Sequence, residues 1–284
     1  MNRGLMIFVG VAAFFIIFAI LVFLIADMVF NRRAEKEIKG ILGTVTLNQE
    51  KVWHADLKNV PLPVQKWIEN SGMLEKEKIK SVRLKQRGEM RTKPDGFWMD
   101  TDAVEYFAVE NPALLWQAKI RVAPLFSIAE RDIYQHGKGN ILIKVLSLFT
   151  VANSSGKEID QGSLLRFLAK TPWFPSAVLS PYVKWEPIDA YSAKAHMSFG
   201  DITAYGIFRF NKNYDVINFE AERFMERGGN YSKEIWSVDY REHDSLNKIR
   251  IPVKGSVSWK FKTDDFTWYN WEITEIEYNK PEMY

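Results

Sequence analysis

The sequence predicts a mainly β protein of the α+β class: an N-terminal transmembrane helix, then a strongly curved antiparallel sheet, an open or half barrel of about ten to twelve strands with helices packed on one face. Three observations predict it. One uncharged apolar run fills residues 5–26. From residue 79 the apolar period changes from 3.6 to 2 and persists in short runs separated by Gly, Asn, Asp and Pro. The β-rich stretch is interrupted once, by a helical insert at 160–181 that is too apolar to stand in water.

The first run, LMIFVGVAAFFIIFAILVFLIA, spans roughly 33 Å at about 1.5 Å per helical residue, enough to cross the hydrocarbon core of a bilayer. A cleaved signal peptide has a shorter apolar region, about 7–15 residues, and a small-x-small cleavage site. This run ends in Ile25-Ala26-Asp27-Met28, so an uncleaved anchor over residues 1–30 is expected. The chain has no cysteine, which excludes disulfides, thiolate metal sites, a cysteine nucleophile and lipid attachment through a thiol. Orientation signals conflict: Arg32, Arg33, Lys36 and Lys39 behind the helix favour a cytoplasmic domain by the positive-inside rule, whereas the minimal tail Asn2-Arg3 suits a signal anchor. An extracytoplasmic domain is the expectation adopted.

Residues 31–59 read as a juxtamembrane linker or a polar continuation of the helix; about ten extended residues would reach some 35 Å. A single β-rich domain follows over 60–284. It opens with an amphipathic helix at 61–73, where Val64, Trp67 and Ile68 share a face and Gly72 supplies a stop. In VRLKQRGEMR, Val82, Leu84, Gln86, Gly88 and Met90 take one face of a strand and charged residues the other. Further strands are predicted at 97–109, 114–123, 128–134 and 141–152, with His136-Gly137-Lys138-Gly139 as a hairpin turn. In the insert, Asp160 or Ser163 is placed to cap a helix that Pro172 ends. Strands then resume to the C-terminus, with Phe208, Phe210, Phe219, Trp236, Tyr240, Trp259, Trp271 and Ile273 on inward faces.

Catalytic templates are missing from the sequence. There is no G-x-S-x-G, H-E-x-x-H, Walker glycine loop or dinucleotide fingerprint. His54, His136, His196 and His243 are dispersed, so no metal site and no cofactor is expected. A net charge of +3 with interspersed signs gives nucleic acid no electrostatic footprint. What stands out is aromatic content, 14% of residues with 10 Trp, together with polar residues on faces that otherwise read as buried. Gln86 lies among apolar neighbours, Asp132 and Tyr134 sit in an apolar strand, Arg166 is embedded in LLRFL, and Glu186 and Arg223 occur within strands. With Trp116, Trp173, Trp236, Tyr240 and Trp259 these form the candidate ligand-binding set; no catalytic residue is assigned. A buried Arg must find a carboxylate or another acceptor. The cluster reads either as the polar end of an apolar cavity or as a salt-bridge network closing the barrel.

The order of VPLPVQKWI, VRLKQRGEMR, NPALLWQAKI, RDIYQHGKGNILIKVL, GSLLRFLAKTPWFPSAVL, VKWEPID, IWSVDYRE and IPVKGSVSW resembles a bacterial family of unknown function with an N-terminal membrane anchor. That pattern often has Glu where this chain has Lys170 and Thr where it has Ser176. The general fold is similar to periplasmic lipoprotein carriers of the LolA type and to mycobacterial glycolipid carriers. The resemblance implies a membrane-anchored binding module holding a lipid or other apolar ligand, with Arg166 and Glu186 or Asp132 at its head group. A membrane-surface enzyme using Asp132, Glu186 or Glu222 as acid or base is the alternative, and a scaffold presenting a sheet edge to a protein is the third reading.

Overall fold

The structure, a computed structural model, describes residues 3–284; residues 1 and 2, the head of the expected anchor, lie outside the described residues. Helix α1 (Arg3–Leu42) is 40 residues long and unbroken. It is long and apolar enough to cross a membrane, with a mean hydropathy of 3.2 in its most apolar window. Helix α2 (Leu62–Asn70) follows a short 3-10 turn. Six strands come next: β1 (Ser81–Met90), β2 (Met99–Ala108), β3 (Ala113–Ala123), β4 (Phe126–Gln135), β5 (Lys138–Val145) and β6 (Phe149–Ser155). Helix α3 (Lys157–Lys170) and two 3-10 turns, Thr171–Trp173 and Pro175–Leu179, then lead to nine more strands. These are β7 (Val183–Asp189), β8 (Ser192–Phe199), β9 (Ile202–Phe210), β10 (Val216–Arg227), β11 (Asn230–Tyr240), β12 (His243–Leu246), β13 (Ile249–Pro252), β14 (Lys254–Lys260) and β15 (Asp265–Tyr278).

Thirteen strands form one antiparallel sheet in the order β6-β5-β4-β3-β2-β1-β15-β14-β11-β10-β9-β8-β7, and β12-β13 make a separate hairpin. A twisted sheet of that width curls, and here it curls into a half barrel. The chain builds one half outward from β1 to the edge strand β6, crosses the concave face through α3, and returns from the opposite edge β7 until β15 pairs with β1. Alternation decides what faces inward. In β1 the inward set is Val82, Leu84, Gln86 and Met90, all buried, as the period of two requires. Helix α2 fills one part of the concave side, its Trp67 ring 6.0 Å from Phe208 and 5.9 Å from Phe210. Helix α3 fills the middle, burying Leu164, Leu165, Phe167 and Leu168.

Three features depart from the sequence reading. The run 141–152 is two strands, because Leu146 and Ser147 adopt positive φ (53° and 56°) and turn the chain without a Gly or Asn. The β12-β13 hairpin also turns through two residues at positive φ, here Asn247 and Lys248 (φ 50° and 64°). These turns raise the strand count above that expected. The His136-Gly137 turn falls where it was predicted, both residues at positive φ.

The third departure is α1. Its polar half is a rigid part of the fold: Phe30, Ala34, Ile38, Ile41 and Leu42 recur at helical spacing and are buried. Ile38, Ile41 and Leu42 pack on Tyr106, Ala108, Ala113 and Leu115 of the convex face, and Phe30 packs on Ala129 and Leu142. Polar contacts fix the same seam. Gln117 Nε2 donates to Asn31 Oδ1 at 2.7 Å, Ser147 Oγ donates to Asp27 Oδ1 at 2.8 Å, and Arg131 Nε lies 3.2 Å from Glu37 Oε2.

Candidate functional site

Between α3 and the sheet lies a cavity of about 370 Å³. Nine strands contribute to its wall, among them β1 with Gln86, β3 with Trp116, β4 with Asp132 and Glu130, β11 with Trp236 and Tyr240, β14 with Trp259, and β15 with Tyr269 and Trp271. Arg223 reaches in from β10, and α3 with the turn after it contributes Arg166, Lys170 and Trp173. Large aromatics fill these positions, and their rings meet edge to face, both between strands and across to the turn that follows α3. Trp173 and Trp271 are 5.2 Å apart at 84°, Trp116 and Tyr269 6.1 Å apart at 78°.

Nine of the eleven sequence-predicted residues therefore share one chamber: Gln86, Trp116, Asp132, Arg166, Trp173, Arg223, Trp236, Tyr240 and Trp259. Two do not. Tyr134 is inward and fully buried, but it sits beneath the start of α3, beside Asp160, outside the cavity lining. Glu186 lies on the opposite face of its strand from Trp185, whose ring packs on Phe208 at 5.4 Å. Adjacent strand residues face opposite ways, so the Glu186 carboxylate stands at the surface near Lys194 (3.8 Å) and His196 (3.1 Å). Glu222 is on the outer face as well, accepting from Tyr205 at 3.3 Å.

The polar groups of the chamber are mostly spent on one another. Trp116 Nε1 donates to Gln86 Oε1 at 3.2 Å, Arg166 pairs with Asp132, Lys170 pairs with Glu105, and the Tyr240 hydroxyl donates to the Ala169 carbonyl. Glu105 was not singled out from the sequence, although it alternates with Met99, Thr101, Ala103 and Phe107 on the inward face of β2. That placement was the available signal. Burial pushes the Glu105 carboxyl up, with Lys170 and Arg166 pulling back. Burial likewise pushes the Lys170 amine down to about 8, Glu105 opposing. Burial lowers Arg166 and raises Glu130, which feels the Arg166 charge.

A remainder is left unpartnered. Among the described residues Arg223 Nε and the indole nitrogens of Trp173, Trp236 and Trp268 have no acceptor. Close approach at Gly255 shapes the wall: a Cβ there would lie 2.3 Å from the Trp271 ring and 2.2 Å from the Asp239 carbonyl, so only glycine lets Trp271 lie across β14.

Fold and cavity together define a half-barrel protein with an aromatic interior chamber behind an N-terminal apolar helix. Residues 50–271 match the family described as a family of unknown function (DUF6544), and the chain belongs to it. No curated protein matches the chain. Several solved structures are similar to it, two of which follow. One is a DUF1329 family protein from Desulfovibrio piger, 7% identical over 79% of this chain and 95% of that chain, TM-score 0.43. The other is a LolA superfamily protein from Nitrosomonas europaea, 9% identical over 78% of this chain and 95% of that chain, TM-score 0.43.

Removing one partner of a buried ion pair leaves the other charge without compensation. Lys170→Met strands the Glu105 carboxylate, which is wholly buried. It is expected to lower stability by about 3–5 kcal/mol, and adding Glu105→Leu should restore much of that loss. Urea unfolding of the wild type, both single variants and the double variant closes the cycle; purely additive losses would mean that the two groups do not interact.

Proposed function

We propose that the chain is a single-pass, membrane-anchored binding module that holds a lipid or another apolar ligand in the chamber of its curved sheet. The observation that carries this reading is the chamber itself. Its volume of about 370 Å³ falls in the range of small-molecule pockets, about 300–1,000 Å³. Aromatic rings make up a large share of its wall, and among the described residues three indole donors in it, those of Trp173, Trp236 and Trp268, have no acceptor. An apolar wall with a few unspent donors suits an amphiphile: the chain desolvates against Trp and Tyr rings, and an oxygen-bearing end meets the donors.

Helix α1 supports the same reading. Its apolar half is exposed along the length that would contact lipid, while its polar half is seated on the sheet. The anchored domain then stands directly over the membrane that supplies its ligand. The enzyme alternative loses its proposed cluster, since Glu186 and Glu222 stand on the outer face and Asp132 is paired with Arg166.

The reading places the domain outside the cytoplasm. Arg32, Arg33, Lys36 and Lys39 lie on the polar half of α1, which is folded onto the domain and also carries Glu35 and Glu37. The four cations stand within the stretch of about 15–20 residues from a membrane helix in which positive charges count, so they oppose this side, and the orientation test bears directly on them.

Native mass spectrometry of the full chain released from neutral nanodiscs should find an adduct of lipid mass, and acyl probes should displace it. A chain that carries no adduct and takes up no probe would sink the binding reading. For orientation, protease added to cells with a permeabilised outer layer should digest the domain while cytoplasmic markers survive; protection of the domain until the inner membrane is lysed would reverse the assignment.

A further inference from the structure

Three cations face the chamber, and two of them have carboxylate partners: Arg166 with Asp132, and Lys170 with Glu105. Arg223 has none. Its guanidinium carbon lies 5.0 Å from the centre of the Trp236 ring and 5.8 Å from that of Trp259. On its other side is α3, where a Cβ at Gly162 would stand 3.2 Å from Arg223 Nε. The missing side chain at 162 is what admits the guanidinium between helix and indoles. Among the described residues Nε finds no acceptor, and neither does the Trp236 indole nitrogen beside it. Of the other carboxylates that line the chamber, Glu130 feels the charge of Arg166, and Glu226 is exposed near Tyr231. The neighbouring charge that acts on Arg223 is Arg166, another cation, and with burial it holds the Arg223 guanidinium down at about 9.

A half-buried guanidinium held in an aromatic slot, with a buried Nε that finds no acceptor among the described residues, gains most from an anion that completes it. Cation–π contact with two indoles stabilises the charge but supplies no acceptor for the N–H groups. We infer that Arg223, with the Trp236 indole N–H, is the head-group subsite of the chamber, and that the ligand is an amphiphile whose polar end is a carboxylate or a phosphate. The planar fork of arginine donates two parallel hydrogen bonds to either oxyanion, which is the shared chemistry of a free fatty acid and a phospholipid head. The role first expected of Arg166 thus passes to Arg223. This inference rests on the chamber being a ligand site.

The test uses the full chain in phosphatidylcholine nanodiscs and three probes with the same chain: 12-bromododecanoate, 12-bromododecyl phosphate and 12-bromododecanol, read by bromine quenching of tryptophan. At least one anionic probe should bind about tenfold or more tighter than the alcohol, the factor expected for hydrogen bonds to a charged group. Arg223→Gln should abolish that preference while leaving the alcohol's affinity unchanged, which also reports an intact fold. Arg223→Lys should retain a reduced preference. Which anion binds tighter identifies the source, fatty acid or phosphate. Equal binding of all three probes to the wild type, or a preference that survives Arg223→Gln, overturns the inference while the chamber remains a ligand site. Failure of all three to bind overturns the chamber reading and this inference with it.

A separate observation concerns the end of the sheet from which α1 departs. Asp27 meets Ser147 in the β5-β6 turn, and the apolar run of α1 extends outward from there. At that same end the loops carry exposed apolar side chains: Phe97 between β1 and β2, Leu125 and Phe126 at the β3-β4 turn, Phe149 and Val151 after the β5-β6 turn. Leu125 is fully exposed at positive φ. We propose that these turns form a rim seated in the head-group layer of the bilayer, continuous with the transmembrane helix. The chain has no cysteine, so Leu125→Cys or Phe149→Cys can each carry a polarity-sensitive dye in the full chain. In nanodiscs, emission at both positions should shift to the blue relative to Asn111→Cys, which is exposed at the β2-β3 turn on the opposite end. Equal emission at 111, 125 and 149, or a shift that appears only when another protein is added, overturns the rim.

Discussion

The crossing of the concave face is the constraint on which the rest of the structure depends. The chain leaves the sheet at one edge, β6, and must re-enter it at the other, β7, through residues 156–182. Those residues cannot pass outside without exposing Leu164, Leu165, Phe167, Leu168 and Phe174, all of them buried. They therefore run through the interior, and the sheet curls around them. Four contacts set the height and rotation of α3 in the trough. Asp160 Oδ1 accepts from the Gly139 amide at 2.7 Å, Arg166 meets Asp132, Ala169 offers its carbonyl to Tyr240, and Lys170 meets Glu105. Hydrophobic contact alone would let an apolar helix slide or rotate in an apolar trough. Buried ion pairs contribute little net stability, but each is satisfied in one register only, and that is the use they serve here.

The chamber follows from the same placement. Helix α3 is one layer thick, and β3, β11, β14 and β15 present Trp and Tyr where a close-packed interior would alternate large and small residues. Rings of that size fix one another edge to face and leave space between the sheet and the helix. The two ion pairs use up two of the three inward cations. Arg223 is left over because its β10 position faces Gly162 and two indoles instead of a carboxylate. A chamber evolved only to be filled has no reason to hold that charge.

Much of this was legible in the sequence because it is written in a period of two. Alternation in β1, β3, β9 and β10 placed Gln86, Trp116, Phe208 and Phe219 inward, and they are buried. The same rule, applied more strictly, would have excluded Glu186, since Trp185 already holds the inward face, and would have included Glu105. What alternation cannot convey is depth along the strand: Tyr134 and Asp132 share a face of β4, yet one lies under α3 beside Asp160 and the other in the chamber. Turn chemistry failed where backbone geometry overrode residue preference. Leu146-Ser147 turns at positive φ with side chains that disfavour it, held by the strands on either side and, at Ser147, by Asp27 of α1. The seating of α1 was hidden for another reason. Its buried stripe of Ala34, Ile38 and Ile41 is narrow and set among charges, so it reads as solvated until the convex face of β2 and β3 supplies Tyr106 and Leu115 opposite it.

That seating bears on the anchoring proposed for α1. An extended linker would let the domain wander by tens of ångströms above the membrane. A continuous helix docked on the convex face allows no such freedom, because moving the domain relative to the bilayer would require breaking the helix or peeling Ile38, Ile41 and Leu42 from the sheet. The convex face thus holds the tether while the concave face holds the chamber, and β4 belongs to both. Its Arg131 reaches outward to Glu37 of α1, and the next residue, Asp132, reaches inward to Arg166 of α3. One strand, through two adjacent charged side chains pointing opposite ways, fixes α1 and α3 in a single frame. In the anchored module proposed above, the height of the chamber over the bilayer would therefore be a property of the fold.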